Sequence, residues 1–406
     1  MKKRILFVDE DQNILDSFRA MLHVKRKDWK GSYASCANGG LELLGNEEFD
    51  VVVSDLRIPC LDGMEFLDKV RKVQPNAIRV VLSGYSDMQQ LLNTTKYAHQ
   101  FLSKPCSTNV LLDSIQRLLD IDDILNNDEI KNVVVQLKSL PTIPEIYLDV
   151  VKELEKAEPD LKLVGGLVEQ DIGLSTNLLK VVNSPYFGFY QRVISPAHAV
   201  VLLGIDALKG LILGVKLIGS LDPAEEGHYS VGNLWNHCLQ TGYFARVIAT
   251  SEGMDKAFIE SCFVCGILHD VGKFVLLTQL YDLYGPLLNE TRSAGGPVHS
   301  IEQKQLKVSH AEIGAYLLGT WGFSSDIVRG VFEHHAPVVE NGEISTALVV
   351  HAANVFQHEC AVWNPDYSVS PLDPELLAQP DMALKLEKWR ELCGRYYDEQ
   401  QEENGE

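Results

Sequence analysis

A doubly wound parallel α/β sheet followed by an all-α helical region is the architecture this sequence predicts, on three observations. Over residues 1–120 short apolar runs, ILFV (5–8), VVV (51–53), RVVL (79–82) and QFL (100–102), alternate with helically spaced segments such as NILDSFRAMLH and GLELLGN. Beyond residue 130 no strand pattern appears, and apolar residues recur at helical spacing. The chain has 406 residues, more than one ordinary core holds, so two or three domains are expected.

Alternating βα units place their ligands beyond the carboxyl ends of the strands. Polar residues stand at those ends: Asp9 and Glu10 after the first run, Asp55 after the run from Val51, Ser83 after the next, and Lys104 after Phe101-Leu102-Ser103. Three carboxylates at one sheet edge repel one another unless a hard cation such as Mg²⁺ neutralises them. A phosphoryl group on Asp55 would then meet the Ser83 hydroxyl and the Lys104 ammonium. Taken singly, each of these residues also suits a loop or a turn; their joint placement carries the reading.

Composition narrows the function classes. Hydrophobic residues make up 46% and charged residues 23%, proportions of a soluble globular protein. A net charge of -20 opposes non-specific nucleic-acid binding, and the densest basic groups are the first few residues and Lys25-Arg26-Lys27. The amino terminus lacks a signal-peptide core, and no apolar stretch is read as long enough to span a bilayer. The eight cysteines are scattered, with one close pair at Cys262 and Cys265 and no second pair to complete a zinc site. Core thiols in a reducing cytoplasm are expected.

The segment from Thr108 places Leu111, Leu112, Ile115, Leu118 and Leu119 on one helical face, continued by Ile121, Ile124 and Leu125 to a break at Asn126-Asn127-Asp128. This predicts a last sheet-covering helix with an extension. Residues 130–230 read as a helical bundle. It includes a Pro-Thr-Ile-Pro break at 141–144, a helix over 171–182 and an aromatic loop with Tyr186, Phe187, Phe189 and Tyr190. Two helices then meet near Gly204, and His198 is expected to be a core histidine. Asn183-Ser184 suits a cap or turn.

Residues 230–360 hold a second constellation. His237, His310, His334, His335 and His351 lie on helical patterns beside apolar residues. Residues 266–277, GILHDVGKFVLL, read as one buried helix carrying His269 and Asp270, with Lys273 a turn later. Each histidine alone suits a structural role. Repeated on inner helix faces with one Asp, they suit one or two divalent ions bridged by Asp270, able to activate water. After Ser370 the chain becomes polar and acidic. A short amphipathic helix through Leu384, Leu386, Trp389 and Leu392 is expected to dock there, and the last eight residues to be disordered.

The pieces VDED, SDLRIPCLDGMEFL, LSGYSD and FLSKP resemble the receiver domain of two-component response regulators, a flavodoxin-like fold. That resemblance implies Asp55 as phosphoacceptor and Mg²⁺ held by Asp9, Glu10, Asp55 and the Arg57 carbonyl. It also implies Ser83 and Lys104 on the phosphoryl group, and Phe101 as the switch aromatic of a face running from Tyr85. The pieces LPTIPE, DIGLSTNLLKVVNSPYFG, LLGIDALKGLIL, GILHDVGK, HAEIGAYLLGTWGF, EHH and VVHAAN resemble the HDOD domain, a divergent relative of the HD-domain phosphohydrolases. By that resemblance His237, His269, Asp270, His310, His334 and His335 match metal-ligand positions, for Fe, Mn or Zn. Asn354 stands where the enzymes use Asp, and the GYP-containing segment of cyclic-di-GMP phosphodiesterases is missing.

The implied organisation is a receiver (1–120), a helical linker (121–132), an HDOD domain (133–360, divided at 229/230) and an acidic tail (361–406). The expected function is a cytoplasmic, phosphorylation-controlled response regulator whose HDOD domain acts by protein contacts. Its expected partners are a sensor histidine kinase, a downstream protein target and a second copy of the chain, with no direct nucleic-acid contact and no membrane insertion. The alternative is a phosphorylation-controlled, metal-dependent phosphohydrolase acting on a cyclic dinucleotide.

Overall fold

The computed structural model describes residues 2–26, 28–83, 98–104, 108–125, 127, 129–130, 133, 145–154, 156, 159–182, 193, 195–203, 205–219, 230–339, 343–361, 364, 367 and 370–404. It divides into two compact units, Met1–Val135 with Tyr316–Ser325, and Gln136–Ala315 with Asp326–Glu406.

In the first unit the order is β1 (Lys3–Val8), α1 (Gln12–Lys25), β2 (Trp29–Ala34), α2 (Ala37–Asn46), β3 (Val51–Asp55), α3 (Gly63–Val73), β4 (Ile78–Ser83), β5 (Gln100–Ser103), α4 (Thr108–Asp120) and α5 (Asp122–Leu125). The strands form one parallel sheet in the order β2-β1-β3-β4-β5. Ile5, Leu6, Phe7 and the three valines 51–53 are all buried, as strands covered on both faces require. The four apolar runs of the sequence are four of these strands. The fifth, β2, reads WKGSYA and has no apolar run, because an edge strand pairs on one side only and buries little beyond Trp29 and Ala34. Strand order reverses between β1 and β3, so the crevice beyond them lies between Asp9 and Asp55.

Leu111, Leu112, Ile115, Leu118 and Leu119 are buried along α4 as their spacing predicts, and Ile121 and Ile124 continue the buried face. The chain turns at Asn127, whose side-chain oxygen accepts from the Ile130 N–H at 3.2 Å.

Beyond residue 135 the described residues form helices and no strand: α6 (Glu145–Leu154), α7 (Leu161–Glu169), α8 (Ile172–Val182), α9 (Pro196–Leu203), α10 (Ile205–Gly219), α11 (Val231–Ser251), α12 (Lys256–Leu268), α13 (Val271–Gln279), α14 (Tyr281–Ala294), α15 (Val298–Leu306), α16 (His310–Thr320, counted with the first unit from Tyr316), α17 (Ser325–Glu333, counted with the second unit from Asp326), α18 (Thr346–Cys360), α19 (Pro374–Leu377) and α20 (Pro380–Asn404). The Pro-Thr-Ile-Pro break, Asn183-Ser184, the aromatic loop 186–190 and the face from Tyr85 lie outside the described residues.

Four expectations change here. His198 is exposed on the first turn of α9, its N–H donating to the Ser195 hydroxyl at 3.3 Å, so it is not a core histidine. GILHDVGKFVLL is not one helix: α12 ends at Leu268, His269 and Asp270 form a turn, and α13 starts at Val271. The run from Lys256 to Gln279 is also long and apolar enough to cross a membrane, against the expectation from the sequence; 89% of its 18-residue window is buried inside the protein, as in a core helix. The carboxyl-terminal segment is a 25-residue helix reaching Asn404, not a short helix with a disordered end. Its docked face is Met382, Leu386, Trp389 and Cys393, while Leu384 is 68% exposed.

Two glycines set the helix crossings that matter below. A Cβ on Gly266 of α12 would lie 2.6 Å from the Gly242 Cα of α11, and one on Gly272 of α13 would lie 2.0 Å from the His310 carbonyl oxygen. Only glycine allows either approach. The first crossing brings α11 against the end of α12; the second brings α13 against the start of α16.

Candidate functional site

At the crevice of the first unit, Asp9 follows β1 and is buried, while Asp55 ends β3. The Lys104 ammonium lies 2.6 Å from Asp9 Oδ2 and 2.5 Å from Asp55 Oδ2, bridging the two carboxylates. The remaining oxygens accept from backbone: Asp9 Oδ1 from the Asp11 N–H and Asp55 Oδ1 from the Arg57 N–H, both at 2.9 Å. Burial disfavours the charged ammonium of Lys104, yet its bonds to Asp55 and Asp9 outweigh this and push its pKa up. Glu10 and Arg57 are exposed beside this group. Ser83 ends β4 and pairs with Ser103 of β5, and Phe101 pairs with Val81; the side chains of Ser83 and Phe101 lie outside the described residues. Two hard carboxylates converging on one cation are a donor set that fits Mg²⁺.

In the second unit the imidazoles gather, though mostly at helix ends rather than on inner helix faces. His269 and Asp270 occupy the α12–α13 turn, His310 begins α16, and His334 and His335 follow α17; only His237 sits within a helix, α11. The ligand atoms form two groups, His237–His269–Asp270 and His310–His334–His335, each within 4.8 Å. Asp270 joins them. Its Oδ2 is 3.4 Å from His269 Nε2 and 3.9 Å from His237 Nε2; its Oδ1 is 3.1 Å from His310 Nε2 and 3.9 Å from His334 Nε2.

Four of the rings are oriented by an acceptor at Nδ1. His269 Nδ1 donates to the Gly266 carbonyl and His334 Nδ1 to the Val331 carbonyl, both at 2.7 Å. His310 Nδ1 donates to Glu302 Oε2 at 2.6 Å, and His237 Nδ1 to the Gln357 amide oxygen. A ring whose proton is on Nδ1 turns an Nε2 lone pair inward, the tautomer a metal takes. His237 Nε2 and His269 Nε2 are only 3.2 Å apart, and two lone pairs so placed repel unless a cation or proton lies between them. Among the described residues His334 Nε2 and Asp270 Oδ1 make no hydrogen bond, although His310 Nε2 lies 3.1 Å from Oδ1. Buried polar atoms left unbonded are costly, and these two point into one space. The donor set fits one or two divalent cations.

Charge supports this arrangement. Burial works against ionised Asp270, but His269 and Lys273, whose ammonium is 2.7 Å from Oδ2, hold its pKa well below the usual carboxylate range. Burial and neighbouring imidazoles push His237, His334 and His335 well below the normal histidine value, keeping them neutral. His310 goes the other way: burial is outweighed by Glu302, and its pKa rises. Asn354 is buried on α18 with its Oδ1 unpartnered among the described residues. It precedes Gln357 and His358 by one helical turn, and these two side chains face His237. His351 bonds the His334 carbonyl through Nδ1 and accepts the Asp373 N–H through Nε2, which gives it a structural role.

Glu302, Gln357, His358 and His299, which stacks on His335 at 4.0 Å, were not singled out from the sequence. Glu302 follows His299 by three residues on α15, a weak signal that spacing alone could not separate from an exposed helix face.

A response regulator receiver domain model matches residues 5–116, and an HDOD domain model matches residues 140–337. The chain joins a response regulator receiver domain to an HDOD domain. An uncharacterised protein of Treponema pallidum (strain Nichols) is 29% identical over 207 residues, 50% of this chain and 39% of that protein. The hydrogenase transcriptional regulatory protein HoxA of Bradyrhizobium diazoefficiens is 25% identical over 235 residues, 55% of this chain and 41% of that protein. The chain thus spans about two fifths of the length of these curated relatives. A solved HDOD domain protein of unknown function from Geobacter sulfurreducens is 21% identical, covering 72% of this chain and 96% of its own with a TM-score of 0.49. The receiver accounts for the Asp9–Asp55–Lys104 crevice, and the HDOD match takes in the histidines up to His335.

Proposed function

We propose that the receiver takes a phosphoryl group on Asp55 from a sensor histidine kinase and that the HDOD domain passes the change to a downstream protein by contact. The observation that carries this is Lys104 bridging Asp9 and Asp55 at the strand-order reversal. An Asp55 carboxylate oxygen attacks phosphorus, the leaving imidazole of the kinase departs, and the Lys104 ammonium follows the new phosphoryl oxygens together with the Ser83 hydroxyl. Asp9, Glu10, Asp55 and the Arg57 carbonyl would hold Mg²⁺, which supplies neutralisation of those oxygens. The added charge, about -1.5 to -2, biases the face from Tyr85 to Phe101. The reading places the protein in the cytoplasm, with divisions at 120, 132, 229/230 and 360.

Incubation with acetyl phosphate and Mg²⁺ tests it by the mass of the intact protein. One phosphoryl group on the native chain and none on Asp55→Asn supports the assignment; equal uptake by both would overturn it.

A second reading concerns the output. The six inward-facing donors support a divalent cation at Asp270, held by His237, His269, His310, His334 and His335 with Asn354 nearby. Hydrolysis of a cyclic dinucleotide has this convergence alone in its favour, since Asn354 offers a neutral amide and the GYP segment is missing. Protein contact is therefore the preferred output. Metal content of the native chain and of His269→Ala, read beside a cyclic-dinucleotide assay, separates the two. Turnover lost in the variant would replace the contact reading.

A further inference from the structure

The loop that follows the candidate phosphoacceptor carries a second reactive group. Cys60 lies five residues after Asp55, is exposed, and has φ +77°, the left-handed region that residues with a Cβ avoid. It is the exposed cysteine among the described residues; Cys238, Cys262, Cys265 and Cys393 are buried. Cys36 faces it from the start of α2. Cys36 is the N-cap residue of that helix, yet its side chain makes no capping bond. The Ala37 N–H donates to the Pro59 carbonyl at 3.3 Å. That bond ties the peptide between Cys36 and Ala37 to the peptide between Pro59 and Cys60, so the two cysteines flank directly bonded peptides. The Cys36 thiol is the neighbouring titratable group that the Cys60 thiol meets. Desolvation beside Cys36 and the neighbouring sulfur push the exposed Cys60 thiol up, so the pair rests as a dithiol and is oxidised through the small fraction present as thiolate.

We propose that Cys36 and Cys60 are a redox pair, converted by a peroxide to an intramolecular disulfide that restrains the Asp55–Asp62 loop. The Cys60 sulfur attacks one peroxide oxygen, forming a sulfenic acid and releasing water. The Cys36 sulfur then displaces the sulfenic oxygen as a second water, so two electrons pass from the two thiols to one hydrogen peroxide. A dithiol reverses the reaction by becoming a disulfide itself. The loop is already held at both ends, by the Arg57 N–H on Asp55 Oδ1 at 2.9 Å and by the Met64 N–H on Asp62 Oδ1 at 2.8 Å. Bonded sulfurs stand about 2 Å apart, closer than two free thiols can approach, so closure draws Cys60 toward α2 and shifts the backbone beside Arg57. The effect on phosphoryl uptake rests on the Asp55 reading above; the disulfide itself does not.

Trypsin separates the two cysteines, cutting after Lys30, Arg57 and Lys69. The full-length protein is treated with hydrogen peroxide, alkylated, digested without reductant and mapped by mass. The expected product is peptide 31–57 joined to 58–69, two hydrogens lighter than their sum, lost on dithiothreitol and absent from Cys60→Ser and Cys36→Ser. Free or sulfonic Cys60 without that joined peptide would overturn the pair. Uptake from acetyl phosphate is then compared in reduced and oxidised protein, with a fall of about tenfold expected for a displaced loop. Equal uptake would overturn the restraint. A reduced protein that takes up no phosphoryl group would instead overturn the Asp55 reading, and the joined peptide would still decide the disulfide.

Discussion

Glu302 is fully buried, and a buried carboxylate persists only if its oxygens are bonded. Three donors meet them: the Tyr284 hydroxyl at 2.5 Å, the His310 N–H at 2.8 Å and the His310 Nδ1–H at 2.6 Å. Its charge raises His310 and strengthens the ring as a donor at Nε2. Glu302→Gln keeps the shape and an acceptor while removing the charge. Titration calorimetry with Mn²⁺ or Zn²⁺ is expected to show affinity about 10–100-fold weaker, with the melting temperature of the untreated protein little changed. Asn354→Asp should act in the opposite direction, since a carboxylate is a stronger ligand than an amide. Unchanged binding would separate Asn354 from the pocket. Neither residue's role was legible from spacing: Glu302 belongs to a polar helix, and only the fold brings it beneath His310.

At the scale of the element, one carboxylate outside the carboxyl-terminal helix α20 gathers three donors from it. Glu252, which caps α11, accepts from Lys385 at 2.8 Å, from the Trp389 indole at 2.9 Å and from Lys388 at 3.4 Å. Burial opposes its charge, but these donors lower its pKa from 4.5 to about 2. A carboxylate depressed on folding contributes stability that is fully present above its unfolded value. That contribution is lost as pH falls from about 4.5 to about 2. Trp389 fluorescence should therefore report undocking of α20 within that window, and Glu252→Ala should cost about 1–2 kcal/mol at neutral pH and remove the transition. The apolar spacing through Leu384, Leu386, Trp389 and Leu392 announced a docked helix, of which Leu386 and Trp389 are the buried members; its length did not follow, because a polar sequence with few apolar positions is helical here through its docking.

Crossing geometry matters as much as docking. Gly272→Ala would place a methyl group where the His310 carbonyl stands, 2.0 Å away, and neither backbone can yield without separating α13 from α16. Destabilisation of about 3 kcal/mol or more is expected by chemical denaturation, together with loss of metal binding because Asp270 and His310 part.

Over the whole molecule, the two compact units each enclose a core of their own. Ligands that bind one folded unit stabilise that unit by mass action. Calorimetry should accordingly show a chelator lowering the unfolding temperature of the helical unit alone, and added Mg²⁺ raising that of the sheet unit alone. A single transition moved by either treatment would contradict independent cores.

The sequence by itself determined the two architectures, the four buried strands, and Asp9, Asp55 and Lys104 as one group. Continuous apolar runs and helical patterns record burial directly, and strand ends of a parallel sheet converge by topology. It also named the five imidazoles and Asp270, because such groups among apolar residues are conspicuous, but by the same signal it drew in His351, which the fold uses structurally. Tertiary structure decided what depends on neighbours far along the chain: the edge strand β2, which pairs without an apolar run, and the turn that separates His269 and Asp270 into a helix junction. It also set the tautomer of four imidazoles through Gly266, Val331, Glu302 and Gln357. Periodicity reports which face of a segment is buried, whereas the partner of a single polar atom exists only once the helices have crossed.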